Sequence, residues 1–367
     1  MAGESIPKTI SGAGSIGRYF TVVSLVPSTV FVAYVVVLLR TGAWSSAEVQ
    51  FTTAVDGLDL ADLAVFSVAA LLFALVVHPL GFALIQMYEG YWGTSRPFAL
   101  LSTLLTRRHR LLATAIRNQQ WAHELAVRDA KVDRDTLGTR DVRHLLLAGE
   151  AKRLHDSYPH LLRDVMPTRL GNVLRRYERL AGAIYALDAV VAMPRVLQVA
   201  AVRDVDYVQN QRIQLELALR TSFLSLVASG VTVALMWRHG PWLLLALVPY
   251  LFSYIAYRGA VVVAHEYGTA LAVAIELNRF ALYERLRLSL PDDLEEERHQ
   301  NVQLTAALRL DNDEMESRLH EKLHPVLDYI HPPPPSTVLL SPSPTAPTDP
   351  GWRPESGGAS QSKPPTS

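Results

Sequence analysis

Four long apolar stretches without Lys, Arg, Asp or Glu dominate the pattern of this chain. They cover residues 19–39, 63–87, 221–237 and 241–257, and are 21, 25, 17 and 17 residues long. About 20 apolar residues span the hydrocarbon core of a bilayer as a helix. The pattern therefore predicts a polytopic membrane protein whose four transmembrane helices form two hairpins, 19–87 and 221–257.

Between and after the hairpins, the apolar positions recur with the period of a helix. Leu101, Leu104, Leu105, Leu111 and Leu112 share one helical face, which predicts a helix over 98–127. Residues 88–220 and 258–330 are thus predicted to form a helical cytoplasmic body, and the fold class is all-α.

Two predicted helices connect the body to the second hairpin. One begins near residue 205 and runs straight into the third span, and the other continues from the fourth span to residue 288. A helix over 241–288 would hold 48 residues and measure roughly 72 Å at about 1.5 Å per residue. A helix boundary is expected between Asp188 and Pro194, because the residue before a proline disfavours the helical conformation.

The charged flanks of the spans predict their orientation. The loop between the first two spans carries Asp56, Asp59 and Asp62, whereas Arg107 and Arg108 follow the second span. The positive-inside rule then puts both hairpin turns outside and both termini in the cytoplasm of a multi-pass cell-membrane protein.

The third and fourth spans are short for a full crossing. Arg220 precedes the third and Arg258 follows the fourth, and both are expected to snorkel to the interface. A re-entrant hairpin that does not cross is the alternative, and it leaves both flanks on the same side.

The two ends of the chain have the composition of tails. Residues 1–18 are predicted to be a cytoplasmic N-terminal tail, and 331–367 to be a disordered tail rich in Pro, Ser and Thr. Four consecutive prolines, 332–335, would also suit a polyproline II ligand.

Charge is balanced over the whole chain but not along it. The 35 Lys and Arg equal the 35 Asp and Glu. Residues 89–220 hold 21 basic and 14 acidic side chains, a net of +7, and 258–367 hold 10 and 16, a net of −6. These blocks are either two solvated surfaces or surfaces that pair with each other, and the basic one also suits anionic lipid headgroups.

The first hairpin carries the candidate functional residues. His78 is the only histidine within the four spans, which contain no Lys, Arg, Asp or Glu. Pro79 follows it in the second span, at a depth in the membrane similar to that of Pro27 in the first. Each proline removes a helical hydrogen bond and kinks its helix or frees a carbonyl. An ionisable group inside a membrane is a functional-site hypothesis.

Polar side chains of the first span are the expected partners of His78: Ser24, Ser28 and Thr29. Two interpretations stay open. His78 is a neutral, structural histidine bonded to a freed carbonyl, or it lines or gates a pore together with Pro79, Pro27 and Ser28.

Motifs of catalysis are not found. His265-Glu266 begins like the HExxH of zinc proteases, but Thr269 occupies the second histidine position. The chain has no cysteine, which excludes thiolate chemistry and iron–sulfur clusters. No catalytic residue, metal site or cofactor is predicted, nor a nucleic-acid partner.

A series of short motifs in residues 167–195 is similar to a pattern found in other proteins. Its residues 167–174 read PTRLGNVL, 185–188 read YALD, and Pro194-Arg195 follow. This pattern resembles a group of uncharacterised bacterial membrane proteins, common in actinobacteria, in which Gly is usual at the position of Ala186 and Trp is frequent at that of Met193. The resemblance covers roughly 60–300, and it implies the four-span layout without an activity.

Within the same region, four polar residues are predicted to form a buried network: Arg169, Asn172, Asp188 and Arg195. Such a network is either structural or a binding site. Together the patterns favour a non-enzymatic membrane protein, with an oligomeric channel or pore as the sharper hypothesis. A membrane-anchored scaffold or regulatory subunit that binds a cytoplasmic protein is the alternative.

Overall fold

The computed structural model describes residues 19–45, 49–51, 59–129 and 139–309 of the chain. Contacts divide the chain into two units, Met1–Tyr329 and Ile330–Ser367, and every described residue belongs to the first. The predicted tails 1–18 and 331–367, and the end of the predicted helical region beyond residue 309, lie outside the described residues.

The described residues are helical and form no β-strand, which confirms the all-α class. Their α-helices, in chain order, are α1 (Val26–Arg40), α2 (Leu60–Val77), α3 (Gly81–Glu89), α4 (Arg96–Asp129), α5 (Thr139–His155), α6 (Arg169–Leu180), α7 (Ala189–Val199), α8 (Val202–Met236), α9 (Leu247–Leu286) and α10 (Leu294–Leu308).

Four helical segments of the described chain are long and apolar enough to cross a membrane. They are Thr21–Arg40, Leu60–Glu89, Val202–Met236 and Gly240–Leu286. Length and composition would add a fifth only if the bent pair formed by Arg169–Tyr185 and α7, which meet at 72°, counted as one span. Each of the four predicted apolar stretches thus corresponds to one of these segments and exceeds its bounds by at most two residues, at 19–20 and 237.

The third and fourth segments are much longer than their apolar parts. The helix that contains the predicted third span begins at Val202, and the segment that contains the fourth runs 47 residues, from Gly240 to Leu286. Both predicted continuations are therefore present. The fourth segment starts as a 3₁₀ turn, Gly240–Ala246, and α9 ends where Arg287 adopts a left-handed conformation.

Helices α8 and α9 pack side by side and form the axis of the molecule. The Ser229 hydroxyl donates to the Ala246 carbonyl (2.9 Å), and the Ser222 hydroxyl to the Ser253 carbonyl (3.0 Å). Contacting positions rise on one helix as they fall on the other, so the two helices are antiparallel.

Two apolar clusters attach the smaller helices to this axis. In the first, α6 packs on both long helices through buried residues such as Leu170, Val173, Leu215 and Ala264. In the second, α7 and α10 pack on the last third of α9, with Val196, Ile275, Tyr283 and Leu304 at the centre. The helix boundary expected at Asp188 is present, but Pro194 lies inside α7 rather than at its start.

One glycine of α9 is required by this packing. A Cβ at Gly268 would lie 2.1 Å from the Cγ of Tyr177 on α6, whereas a Cβ at Gly259 of the same helix would meet nothing within 4 Å. Gly268 therefore sets how closely α6 approaches the axis, and Gly259 does not.

Candidate functional site

Two interruptions of regular helix face each other in the first two apolar segments. The first segment begins as a π-helical turn, Thr21–Leu25, which leads into α1 at Val26-Pro27. The second is interrupted between α2 and α3 by a 3₁₀ turn, His78–Leu80, which contains Pro79. Backbone groups at such interruptions lack some of their usual helical partners.

Pro27 deprives one carbonyl of its usual helical donor. In a regular α-helix the N–H of residue 27 would donate to the carbonyl of Val23, but proline has no N–H. The Arg220 guanidinium on α8 donates to that Val23 oxygen instead, with Nη1 at 2.9 Å. The side chain of Val23 is itself fully buried. The proline thus creates an acceptor for a charge on another helix.

Arg220 is held by both interrupted segments. Its Nη1 also donates to the Ser24 hydroxyl, and its Nη2 lies 3.4 Å from the carbonyl oxygen of His78. Arg220 is 1% exposed, so the expectation that it snorkels to an interface is wrong. Burial of a charge is costly unless hydrogen bonds replace the lost water, and these acceptors replace part of it.

His78 contacts the same serine. Its Nδ1 lies 2.8 Å from the Ser24 hydroxyl, and its ring packs edge-on against the aromatic rings of Tyr19 and Phe20. Ser24 is one of the three partners expected from the sequence. The others behave differently: Thr29 donates to the Leu25 carbonyl, and the buried Ser28 hydroxyl has no hydrogen-bond partner among the described residues.

A carboxylate one helical turn before Arg220 adds a negative charge to this site. Glu216 is 5% exposed and accepts a hydrogen bond from the Tyr19 hydroxyl. One turn earlier again, the Arg212 Nε donates to Glu216 at 2.8 Å. We call Tyr19, Ser24, His78, Glu216 and Arg220 the Arg220 cluster.

The interruption at His78–Leu80 leaves room for the guanidinium. Gly81 begins α3, and a Cβ at this position would lie 3.0 Å from Nη2 of Arg220. Any larger side chain would compete with Arg220 for the space beside the His78 carbonyl.

The cluster couples a titratable group to a fixed charge. Arginine stays protonated in proteins and can only donate, so the Ser24 oxygen accepts from Arg220 and its own proton is free to point at His78 Nδ1. Protonation of His78 would turn Nδ1 into a donor and add a positive charge beside Arg220.

The sequence located His78, Pro79 and Pro27 but not the charges that they face. A signal was present: Arg212, Glu216 and Arg220 recur every four residues, so they share the face of a helix that enters an apolar run. From the sequence, Arg220 is expected at the edge of a span, because hydropathy does not show which helices pack against its side chain.

The four residues predicted as one polar network have separate partners. Asn172 fastens the loop before α6, with Nδ2 donating to the carbonyls of Met166 (3.0 Å) and Thr168 (2.6 Å) and Oδ1 accepting from the Met166 N–H. The hydrogen bonds of the described structure do not join Asn172 to Arg169, which begins α6 and lines two cavities.

Asp188 and Arg195 stabilise α7 and its contact with the end of α10. Asp188 caps α7 by accepting from the Val190 N–H (3.0 Å), and it pairs with Arg309 at 2.8 Å. Arg195 donates to the carbonyls of Val191 (2.7 Å) and Leu308 (3.3 Å). Within the described residues these two side chains stabilise local structure.

The described residues contain no cluster of three or more His, Asp or Glu side chains that could hold a metal ion. Comparisons with known proteins add no relative: no family model, no curated protein and no solved structure matches the chain.

Proposed function

We propose that the protein is a non-enzymatic, oligomeric membrane pore whose opening is controlled by the Arg220 cluster. The burial of Arg220 against acceptors at both helix interruptions carries this proposal. Interrupted helices expose backbone groups at ion sites of membrane proteins, and buried charges mark ion pathways and gates.

In the proposed topology all four segments cross the cell membrane, with both inter-span turns outside and both termini in the cytoplasm. Exposed Trp237 and Trp242 flank the turn between α8 and α9, where interfacial aromatic residues are expected. Arg40 and Asp62, at the ends of the first two spans, pair at 2.9 Å. A chain with Ser46→Cys as its single cysteine should react with an impermeant thiol reagent in intact cells. Reaction only after permeabilisation would contradict this orientation.

The gate in this proposal is the attachment of the first two spans to α8. With His78 neutral, Arg220 fastens the π-turn and the 3₁₀ turn to α8, and the path between the spans is closed. A proton on His78 would repel Arg220 and weaken these bonds. Acidification is therefore expected to open the path.

The test is ion flux from liposomes that contain the full-length chain. The expected result is ion flux that rises on acidification. His78→Ala should remove this pH dependence, and the control His299→Ala, an exposed histidine of α10, should keep it. A folded oligomer without flux at any pH would contradict the pore.

The alternative is a membrane-anchored scaffold or regulatory subunit that binds a cytoplasmic protein. One observation favours it: α4 packs mainly on α5 and leaves large apolar side chains exposed. The most exposed are Leu100, Leu104, Leu111 and Trp121. If the liposomes show no flux, Leu104→Asp and Leu111→Asp should reduce binding to a cytoplasmic partner while leaving the melting temperature of the isolated protein unchanged.

A further inference from the structure

Two cavities of about 460 Å³ each share Arg169 as a lining residue. We call the first the basic cavity, and its polar lining includes Arg153, Ser157, Arg169, Arg258, His265 and Glu266. We call the second the apolar cavity, and its lining includes Met87, Trp92, Leu105, Leu226, Tyr250 and Tyr257. Their sizes are those of cavities that bind small molecules.

The basic cavity has an excess of positive charge. Three guanidiniums line it, and its two carboxylates are Asp156 and Glu266. Asp156 is already engaged, because it accepts from Arg176 at 2.7 Å. Glu266 therefore faces three arginines, and the excess charge suits an anion.

Arg169 is an exposed cation at the start of α6. It is the first residue of α6, which Thr168 caps by accepting from the Gly171 N–H at 2.9 Å. The positive end of the helix dipole disfavours a cation there and favours an anion. The Arg169 guanidinium makes no hydrogen bond or ion pair with another described residue, so it is available to a ligand. A bound anion would replace water at the guanidinium and complement the positive end of the helix.

Close backbone packing holds Arg169 in place. A Cβ at Gly171 would lie 2.2 Å from the Glu89 carbonyl oxygen, and a Cβ at Gly90 would lie 2.3 Å from Pro167. The start of α6 is thus packed directly on the end of α3, the last residues of the second apolar segment. Arg169 therefore stands where that segment meets the remaining helices.

The apolar cavity extends from Arg169 along the apolar segments. Leu226 belongs to the apolar part of α8, and Tyr250 and Tyr257 to that of α9, while Leu105 of α4 forms the opposite side. The basic cavity and the apolar cavity meet at Arg169, and the apolar one lies between the candidate membrane segments and α4. This arrangement suits one amphipathic anion, with its charged group in the basic cavity and its hydrocarbon in the apolar cavity.

We propose that the two cavities bind one anionic phospholipid, with its phosphodiester on Arg169 and Arg258 and an acyl chain in the apolar cavity. Arg258 links the two cavities, because it lines the basic one and its Nη1 donates to the hydroxyl of Tyr254, which lines the apolar one (3.3 Å). The proposal does not depend on a pore, since a scaffold would bind the lipid equally well.

The test measures lipid binding to the full-length chain in detergent by native mass spectrometry. Phosphatidylglycerol should bind more tightly than phosphatidylcholine. Arg169→Gln should weaken phosphatidylglycerol binding by about tenfold or more, the loss expected for a charged hydrogen bond. Arg163→Gln, an exposed arginine that lines neither cavity, is the matched control and should leave binding unchanged.

A second variant separates a lipid from a free phosphate. Leu105→Trp fills the apolar cavity and should weaken phosphatidylglycerol binding without changing that of inorganic phosphate. Equal binding of the two lipids, or full competition by inorganic phosphate at the lipid's own concentration, would overturn the proposal. Equal melting temperatures of the variants and the unaltered chain show that each is folded.

Discussion

The Arg220 guanidinium donates to the one carbonyl, that of Val23, whose usual helical donor Pro27 removes. The proline and the arginine lie on different helices, 193 positions apart in the sequence. An apparent defect of α1 and a buried charge of α8 thus compensate each other. Neither side of this contact is explained without the other.

Replacement of Arg220 should loosen the first two segments from α8. Arg220→Met removes the donor to Val23 and Ser24 and leaves buried acceptors unsatisfied, so the free energy of unfolding should fall by about 3 kcal/mol. Arg220→Lys should recover little of this free energy, because an ammonium lacks the planar set of donors with which a guanidinium reaches several acceptors. Thermal unfolding in detergent, followed by tryptophan fluorescence, measures both.

The control for this prediction is Arg212→Met. Arg212 is 57% exposed, but its partner Glu216 is 5% exposed, so the loss measures the cost of leaving that carboxylate without an ion pair. Equal losses for the two arginines would contradict the special role of Arg220.

Two glycines of α9 should respond to alanine in opposite directions. At Gly268 the new Cβ would overlap the ring of Tyr177, and overpacking of this kind costs about 1–3 kcal/mol. At Gly259 the Cβ meets open space, so Gly259→Ala should stabilise the helix by about 0.5–1 kcal/mol. Unfolding experiments on the two variants measure the difference. Destabilisation by both substitutions would contradict the open space beside Gly259.

Ala186 should gain stability from replacement by glycine. It adopts a left-handed φ of 55°, and a Cβ makes that conformation costly. Ala186→Gly should therefore add about 0.5–1 kcal/mol to the free energy of unfolding, the balance between relieved strain and greater freedom of the unfolded chain. Ala183→Gly, in the exposed 3₁₀ turn before it, has no strain to relieve and should destabilise.

Acidification should destabilise the packing of α4 on the loop before α6. Burial, and next the charges of Arg108 and Arg169, lower the pKa of His109 below its usual range. His109 also lies 3.0 Å from the Tyr158 hydroxyl. On acidification the unfolded chain takes up the proton before the folded chain does, so stability present at neutral pH is lost as the pH falls through the ordinary pKa of histidine toward the lowered one.

His109→Gln tests this cause. The variant should lose less stability than the unaltered chain as the pH falls from about 7 to about 5, and His299→Gln should behave like the unaltered chain. Melting temperatures across this pH range provide the measurement, and parallel curves for all three proteins would contradict it.

Asp188 should be more important as a helix cap than as an ion-pair partner. Burial raises its pKa, but the hydrogen bonds from Arg309 and from the Val190 and Val191 N–H groups outweigh it, and the pKa lies below its usual range. Asp188→Ala removes the cap and should cost about 1 kcal/mol. Asp188→Asn keeps the cap and loses only an exposed pair, so its cost should stay below about 0.5 kcal/mol. Equal losses in an unfolding assay would assign the stability to Arg309 instead.

Much of the fold could be predicted because it depends on local pattern. Apolar length located all four candidate spans, and the absence of a stop signal predicted that α8 and α9 continue beyond them. Pro194 was misplaced, since tertiary packing of α7 retains a proline that a local rule excludes. The residues predicted as a polar network, Asn172, Asp188 and Arg195 among them, are close in sequence, but each hydrogen-bonds to a different neighbour.

The sequence by itself determined that the chain is helical, that four of its segments suit a bilayer, and that Pro27, His78 and Pro79 interrupt two of them. Tertiary structure alone decided that Arg220 is buried among these interruptions instead of lying at an interface. The physical reason is that helix formation and hydropathy are properties of a segment. The cost of a charge depends on the groups around it, and the acceptor from Val23 lies 197 positions away.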